Sequence, residues 1–255
     1  MVFTFRGKTY TVTEYSLRED GTLAFSFEKV MPYYMCEEIV ATLYAVKEGQ
    51  NISVTQNDVT VKNYCDRAVE LNSTDAEFIA LASDLLVYGA KAQVYAGYKT
   101  DALATDGVEW LAPTAFAVPE TDFELSGEMS DAYSWAGAGL NLANEMNMYI
   151  TFTAQSVEGL SVTITINGRE YTYDVSEYTP DKDGKYRVYF YGVNAYEFGD
   201  VVSVSFVVDE EVVGSTLSYS VDSYVNYMYN SSDEALAELV QAISNYGKSA
   251  YAYKN

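Results

Sequence analysis

Thirty-seven carboxylates and no histidine define the chemistry this chain can attempt. Without an imidazole, Ser-His-Asp and Cys-His nucleophilic relays, His-ligated zinc and the facial iron triad are excluded. A pair of carboxylates could hydrolyse a glycoside, which takes two of them about 5 to 10 Å apart, one with a raised pKa in a cleft. Nothing in the sequence sets two of them opposite each other near its tryptophans, so hydrolysis is the less favoured alternative and no catalytic residue is assigned. Asp181, Asp183 and Gly184 in PDKDGK share the opening of a calcium loop, which also needs further oxygen ligands and a closing bidentate Glu. The related REDGT lacks the first aspartate, so a hairpin turn accounts for both stretches, and neither metal nor cofactor is expected. Cys36 and Cys65 have Gly199 and Val225 as relatives in the second half. That favours two free thiols and leaves a bridge between them open.

The other chemistry on offer is stacking. The chain carries 25 tyrosines and 2 tryptophans beside only 15 basic residues. Sugar rings present apolar C–H faces rimmed by hydroxyls, which suit a flat aromatic ring next to Asp, Asn or Gln. Most of the tyrosines fit half-buried strand and helix positions, and Tyr64, Tyr88, Tyr224 and Tyr246, at matching repeat positions, are assigned to the core. Aromatics outside the repeat are the better candidates. Trp110 lies in the connector ATDGVEWLAP, and Trp135 lies in SDAYSWAGAG with Tyr133 on the same side of an extended strand. The candidate carbohydrate site is therefore Trp135, Tyr133 and Trp110, with Asp131 and Asn144 as polar partners. Tyr33 and Tyr34, beside Pro32, are next.

The scaffold that must position them is globular: 49% hydrophobic residues over 255 positions is ample for a packed core. No apolar run is long enough to insert in a membrane, and MVFTFRGK lacks the layout of a signal peptide, so a secreted parent would carry its leader elsewhere. A net charge of -22 disfavours nucleic acid and anionic membrane surfaces.

A repeat organises the chain. Val2 to Val12 matches Val162 to Tyr173, pairing Gly7 with Gly168 and Tyr10 with Tyr171. Asp20-Gly21 then matches Asp183-Gly184, Tyr33 matches Tyr196 and Met35 matches Phe198. VKNYCDRAVEL matches VDSYVNYMYN, and both copies close on a helix carrying a Tyr-Gly pair, Tyr88-Gly89 and Tyr246-Gly247. Each copy opens with alternating strands joined by turns such as Asn167-Gly168 and ends in a helical pair, with Ser73 and Ser231 as N-cap signals for the longer helix. Copy two has two extra strands, centred on Leu140 to Leu142 and Met146 to Phe152. Copy one starts abruptly, and its gap is open to filling by the unique stretch Asp101 to Ser134, which reads as extended chain around Pro113 and Pro119.

GAGLNL...EMNMYITF, INGREYTY and YGAKAQVYAGYKTDALA together resemble a module of large secreted proteins of gut Clostridia. Related modules sit beside dockerins, carbohydrate-binding modules and glycoside hydrolases in ruminococci, starch-adherence proteins among them. The resemblance implies a mainly β fold with appended α: two related immunoglobulin-like β-sandwich modules, each followed by a helical pair. The expected division is a truncated first module at 1–98, a connector at 99–138 and a complete module at 139–255. It further implies a secreted, cell-surface location and a monomer within a larger multi-modular protein. The function expected is non-catalytic carbohydrate binding, with starch-like α-glucan favoured by the resemblance. A structural spacer or adhesion module is the alternative.

Overall fold

The computed structural model describes residues 1–142 and 146–255. The chain divides into two compact units, Met1–Pro113 and Thr114–Asn255. The stretch read as a connector is shared between them.

In the first unit, β1 (Val2–Phe5), β2 (Lys8–Thr11), β3 (Ser16–Leu17), β4 (Leu23–Ala24), β5 (Ile39–Lys47) and β6 (Gln50–Val59) precede α1 (Val61–Leu71) and α2 (Ala76–Ala96). The main sheet runs β2-β1-β5-β6, and β3-β4 is a separate two-stranded piece. Phe5 opposite Lys8 leaves a two-residue turn, Arg6-Gly7, with φ of 50° and 74°. That is the left-handed pair a tight hairpin requires. Phe3, Phe5 and Ile39 form the core on one face of the sheet, covered by Phe25, Phe27, Val30 and Tyr34 from the irregular stretch before β5. A 3-10 turn at Pro32–Tyr34 ends that stretch.

The second unit holds β7 (Glu124–Ser126), β8 (Tyr133–Asn141), β9 (Asn147–Ala154), β10 (Leu160–Ile166), β11 (Arg169–Asp174), β12 (Tyr186–Phe190), β13 (Val202–Val208), β14 (Glu211–Tyr219), α3 (Val221–Met228) and α4 (Glu234–Lys254). One sheet runs β11-β10-β13-β14-β7 and another β12-β9-β8. Strand β10 alternates perfectly: Leu160, Val162, Ile164 and Ile166 are buried, while Ser161, Thr163 and Thr165 stay partly exposed. This is the period of a strand with one face on the core. Ile166 opposite Arg169 reproduces the tight turn at Asn167-Gly168, as the sequence predicts.

Three expectations are corrected. The fold is mixed α and β, with four open sheets and four α-helices among the described residues, and not a pair of closed immunoglobulin-like sandwiches. In the first unit, coil covers the core where a second sheet was expected; in the second, the two sheets meet through Trp135, Phe152 and Phe206 without closing. The stretch 101–134 does not complete copy one through its strand either, since β7 pairs with β14 of the second unit. Helix starts also move by two residues. The caps of α2 and α4 are Asp75 and Asp233, whose carboxylates accept from the Phe78 and Leu236 N–H groups. Asp caps as well as Ser does and adds charge complementary to the helix dipole.

The recurring Tyr-Gly pair has a packing cause. A Cβ on Gly89 would fall 2.5 Å from Met35 Sδ, and one on Gly247 would fall 2.7 Å from Phe198 Cδ2. Met35 and Phe198 each cap a 3-10 turn, Pro32–Tyr34 and Ala195–Glu197, and both are buried. Glycine lets each turn lie directly on its helix. No helix of the described residues is long and apolar enough to cross a membrane.

Candidate functional site

A groove of about 530 Å³ in the first unit lies between β2 and the β3-β4 hairpin. Its aromatic lining is Tyr10, Tyr15 and Phe27, with Tyr15 60% exposed and the Tyr10 and Phe27 rings edge to face at 5.3 Å. Thr11, Ser16 and Ser26 bring hydroxyls, and Glu14, Glu28 and Lys29 bring charge. The repeat supplies an aromatic counterpart for each of these three rings. Tyr171 and Phe190, the relatives of Tyr10 and Phe27, make the same edge contact at 5.0 Å. In the register that pairs Phe27 with Phe190, Glu14-Tyr15 falls opposite Glu177-Tyr178, so Tyr15 also has an aromatic counterpart in copy two.

None of the six described residues selected from sequence lines this groove. Trp135 and Tyr133 come together on β8 as expected, but both rings turn onto Phe206, Trp135 stacking at 3.9 Å and 13° and Tyr133 lying at 5.7 Å. The Trp135 indole N–H donates to the Ser215 carbonyl at 3.0 Å. Asp131 is exposed, and its carbonyl accepts from the Gln155 side chain. Asn144 lies outside the described residues. Trp110 belongs to the first unit, half-buried, with its indole N–H on Asp66 Oδ1 at 2.8 Å. Both indoles are half-buried and donate their N–H groups within the protein, and a connector tryptophan reads the same in sequence whether it packs or binds.

Tyr33 and Tyr34 sit in a second aromatic cluster of the first unit. Their rings are 4.2 Å apart, and Tyr98 packs on Tyr34 at 5.0 Å. The Arg6 guanidinium, carried by the hairpin turn, lies 3.7 Å over the Tyr34 ring. Glu37 anchors the rim, accepting from the Tyr98 hydroxyl at 2.9 Å and from Lys99 Nζ at 2.5 Å. Burial alone would raise the Glu37 carboxyl, but these two hydrogen bonds outweigh it and hold it below its ordinary value. The Arg6 cation already occupies one face of Tyr34, so this cluster presents edges and charges rather than an open platform.

The same turn in the second unit uses different chemistry. Glu197, at the place of Tyr34, is buried and accepts from Arg169 (2.5 Å), Asn167 (3.2 Å) and Asn194 (2.7 Å). Burial pushes its carboxyl up, the donated hydrogen bonds pull it further down, and the result is a pKa of about 2. Asp181, the residue considered for calcium, accepts at Oδ1 from the Asp183 and Lys185 N–H groups, as a turn-forming aspartate does. Among the described residues, no group of three or more His, Cys, Asp or Glu side chains is gathered to hold a metal ion. Cys36 and Cys65 are both free. Burial pushes the Cys65 thiol up to about 12, which makes it a small apolar filler rather than a nucleophile.

No family model, curated protein or solved structure matches this chain.

Proposed function

We propose that this chain is a non-catalytic carbohydrate-binding protein whose sugar subsite is the groove beside Tyr15. The observation that carries the reading is the lining of that groove: an exposed tyrosine ring and a half-buried edge-to-face pair, with serine and threonine hydroxyls and two glutamates between them. One exposed ring contributes roughly 1 kcal/mol beyond area burial, so a useful site needs several such contacts with polar partners at its rim. Glu14 and Glu28 are both exposed, which suits hydrogen bonding to sugar hydroxyls. A glycosidase would need one carboxyl shielded enough to stay protonated. Starch-like α-glucan is the favoured ligand through the resemblance to modules of secreted clostridial proteins, which also suggests a cell-surface setting.

A spacer or adhesion module is the second reading, favoured by the inward turn of Trp135 and Tyr133 and the tie of Trp110 to Asp66. Pull-down with insoluble starch, cellulose and xylan separates the two. Retention on at least one glycan is expected; no retention on any favours the spacer. A reducing-sugar assay on the same glycans should show no release, and clear release would make the protein an enzyme.

A further inference from the structure

The groove beside Tyr15 has a counterpart in the second unit, and the two differ in composition. In the repeat register Tyr10, Val12, Tyr15, Phe27, Glu28 and Lys29 become Tyr171, Tyr173, Tyr178, Phe190, Tyr191 and Gly192. The three rings are kept, a valine and a glutamate give way to two further tyrosines, and the lysine is lost. Copy two thus brings five rings to a place where copy one has three, with less charge among them.

Tyr171 and Tyr173 stand on β11, at the edge of the five-stranded sheet, opposite Ile164 and Val162 and therefore on the face those buried residues share. The Asp174 carboxylate then accepts from the Ser176 N–H at 2.8 Å and opens a 3-10 turn, Val175–Glu177, which fully buried Val175 pins in place. Copy one is two residues shorter at this point. The turn delivers half-buried Tyr178, whose N–H donates to the Val175 carbonyl at 3.1 Å. Phe190 closes β12 opposite Met148 of β9 and meets the Tyr171 ring edge to face at 5.0 Å. A Cβ on Gly192 would fall 2.5 Å from the Phe190 ring and 3.0 Å from Tyr171 Cζ, so only glycine lets the chain pass these rings. Tyr191, between Phe190 and Gly192 in sequence, is 63% exposed. Burial, and after it the Tyr178, Tyr171 and Tyr191 hydroxyls, raise the Tyr173 hydroxyl above its ordinary value, an influence that requires the four phenols to be near one another.

We propose that this tyrosine cluster is a second sugar subsite, an inference that rests on the reading of the groove beside Tyr15 as the first. The rings offer apolar faces to sugar C–H groups, and each phenol both donates and accepts a hydrogen bond at the rim. Thr172, Thr179 and Glu177 stand exposed beside them and add further partners for sugar hydroxyls. Exchange of Glu28 and Lys29 for Tyr191 and Gly192 removes charges that a neutral ligand does not use and adds surface on which it can stack. A polysaccharide that engages both subsites binds far more tightly than either subsite does alone, so loss of either one removes most of the retention.

The test is affinity electrophoresis of the full chain in gels of increasing soluble-starch content, with Tyr191→Ala, Tyr191→Phe and Tyr15→Ala run alongside. The parent should be retarded, and Tyr191→Ala should need roughly tenfold more starch for the same retardation, at an unchanged melting temperature because the ring is largely exposed. Tyr191→Phe keeps the ring and should run close to the parent. Tyr191→Ala retarded as strongly as the parent, while Tyr15→Ala is not, overturns the second subsite and leaves the first standing. Retardation lost in Tyr191→Ala and intact in Tyr15→Ala does the reverse, keeping sugar at the tyrosine cluster and removing it from the groove. A parent that runs unretarded in starch, and also in soluble xylan and hydroxyethyl cellulose, overturns both.

Discussion

Gly247 tolerates less change than its counterpart Gly89. Its missing Cβ faces Phe198 Cβ at 2.9 Å as well as the ring, and neither can move without shifting the turn. At Gly89 the closest atom is the thioether sulfur of Met35, which can swing aside. Gly247→Ala should therefore cost about 2 kcal/mol and Gly89→Ala about 1 kcal/mol, read from urea unfolding midpoints. Equal costs would show that the turns pack alike. Glu197 gives a pH signature. Its folded carboxyl, at about 2, lies below the ordinary glutamate value of 4.5, so the stability it supplies is present above that value and is lost as pH falls toward 2. Glu197→Gln should lose about 2 kcal/mol at neutral pH, allowing for solvent screening at the half-exposed Arg169, and should flatten the acid limb of the melting profile. An unchanged acid limb would mean the Arg169 contact is not made in solution. At this scale the sequence displayed the Tyr-Gly coincidence but not its cause, because a clash with Met35 or Phe198 exists only after folding.

The elements were legible where their period is set by local burial. Strand β10 alternates as its sequence does, and the Asn167-Gly168 turn follows from two residues that accept left-handed backbone. Arg6 at the equivalent turn, with φ of 50°, shows that a less suitable residue can hold the same place when it gains a contact, here the stack on Tyr34. Helix caps were misread by two residues because Ser and Asp stand close together in both copies and each can cap. Strand β8 marks how far the sequence reaches: an alternating strand shows that Tyr133 and Trp135 share a face, but not that this face meets Phe206. Trp135→Ala should destabilise the protein by about 3 kcal/mol or more, as loss of a packed aromatic does, and leave glycan retention of the folded protein unchanged. Reduced retention with unaltered stability would return Trp135 to the binding site.

For the whole molecule, self-similarity revealed two unequal copies, and the structure contains two compact units. Closure of the sheets was not legible. The same alternating residues serve an open sheet covered by coil and a closed sandwich, and the choice rests on edge pairings far apart in sequence, such as Glu124–Ser126 on β14. The groove was missed for a related reason: Tyr10, Tyr15 and Phe27 become neighbours only once β2 and the β3-β4 hairpin are in place. Affinity electrophoresis of the full chain and its Tyr15→Ala variant through gels containing soluble starch tests the proposed function most directly. Retardation of the parent, lost on Tyr15→Ala at unchanged thermal stability, is the expected result. A parent that runs unretarded, or a variant retarded as strongly as the parent, would contradict α-glucan binding at this groove.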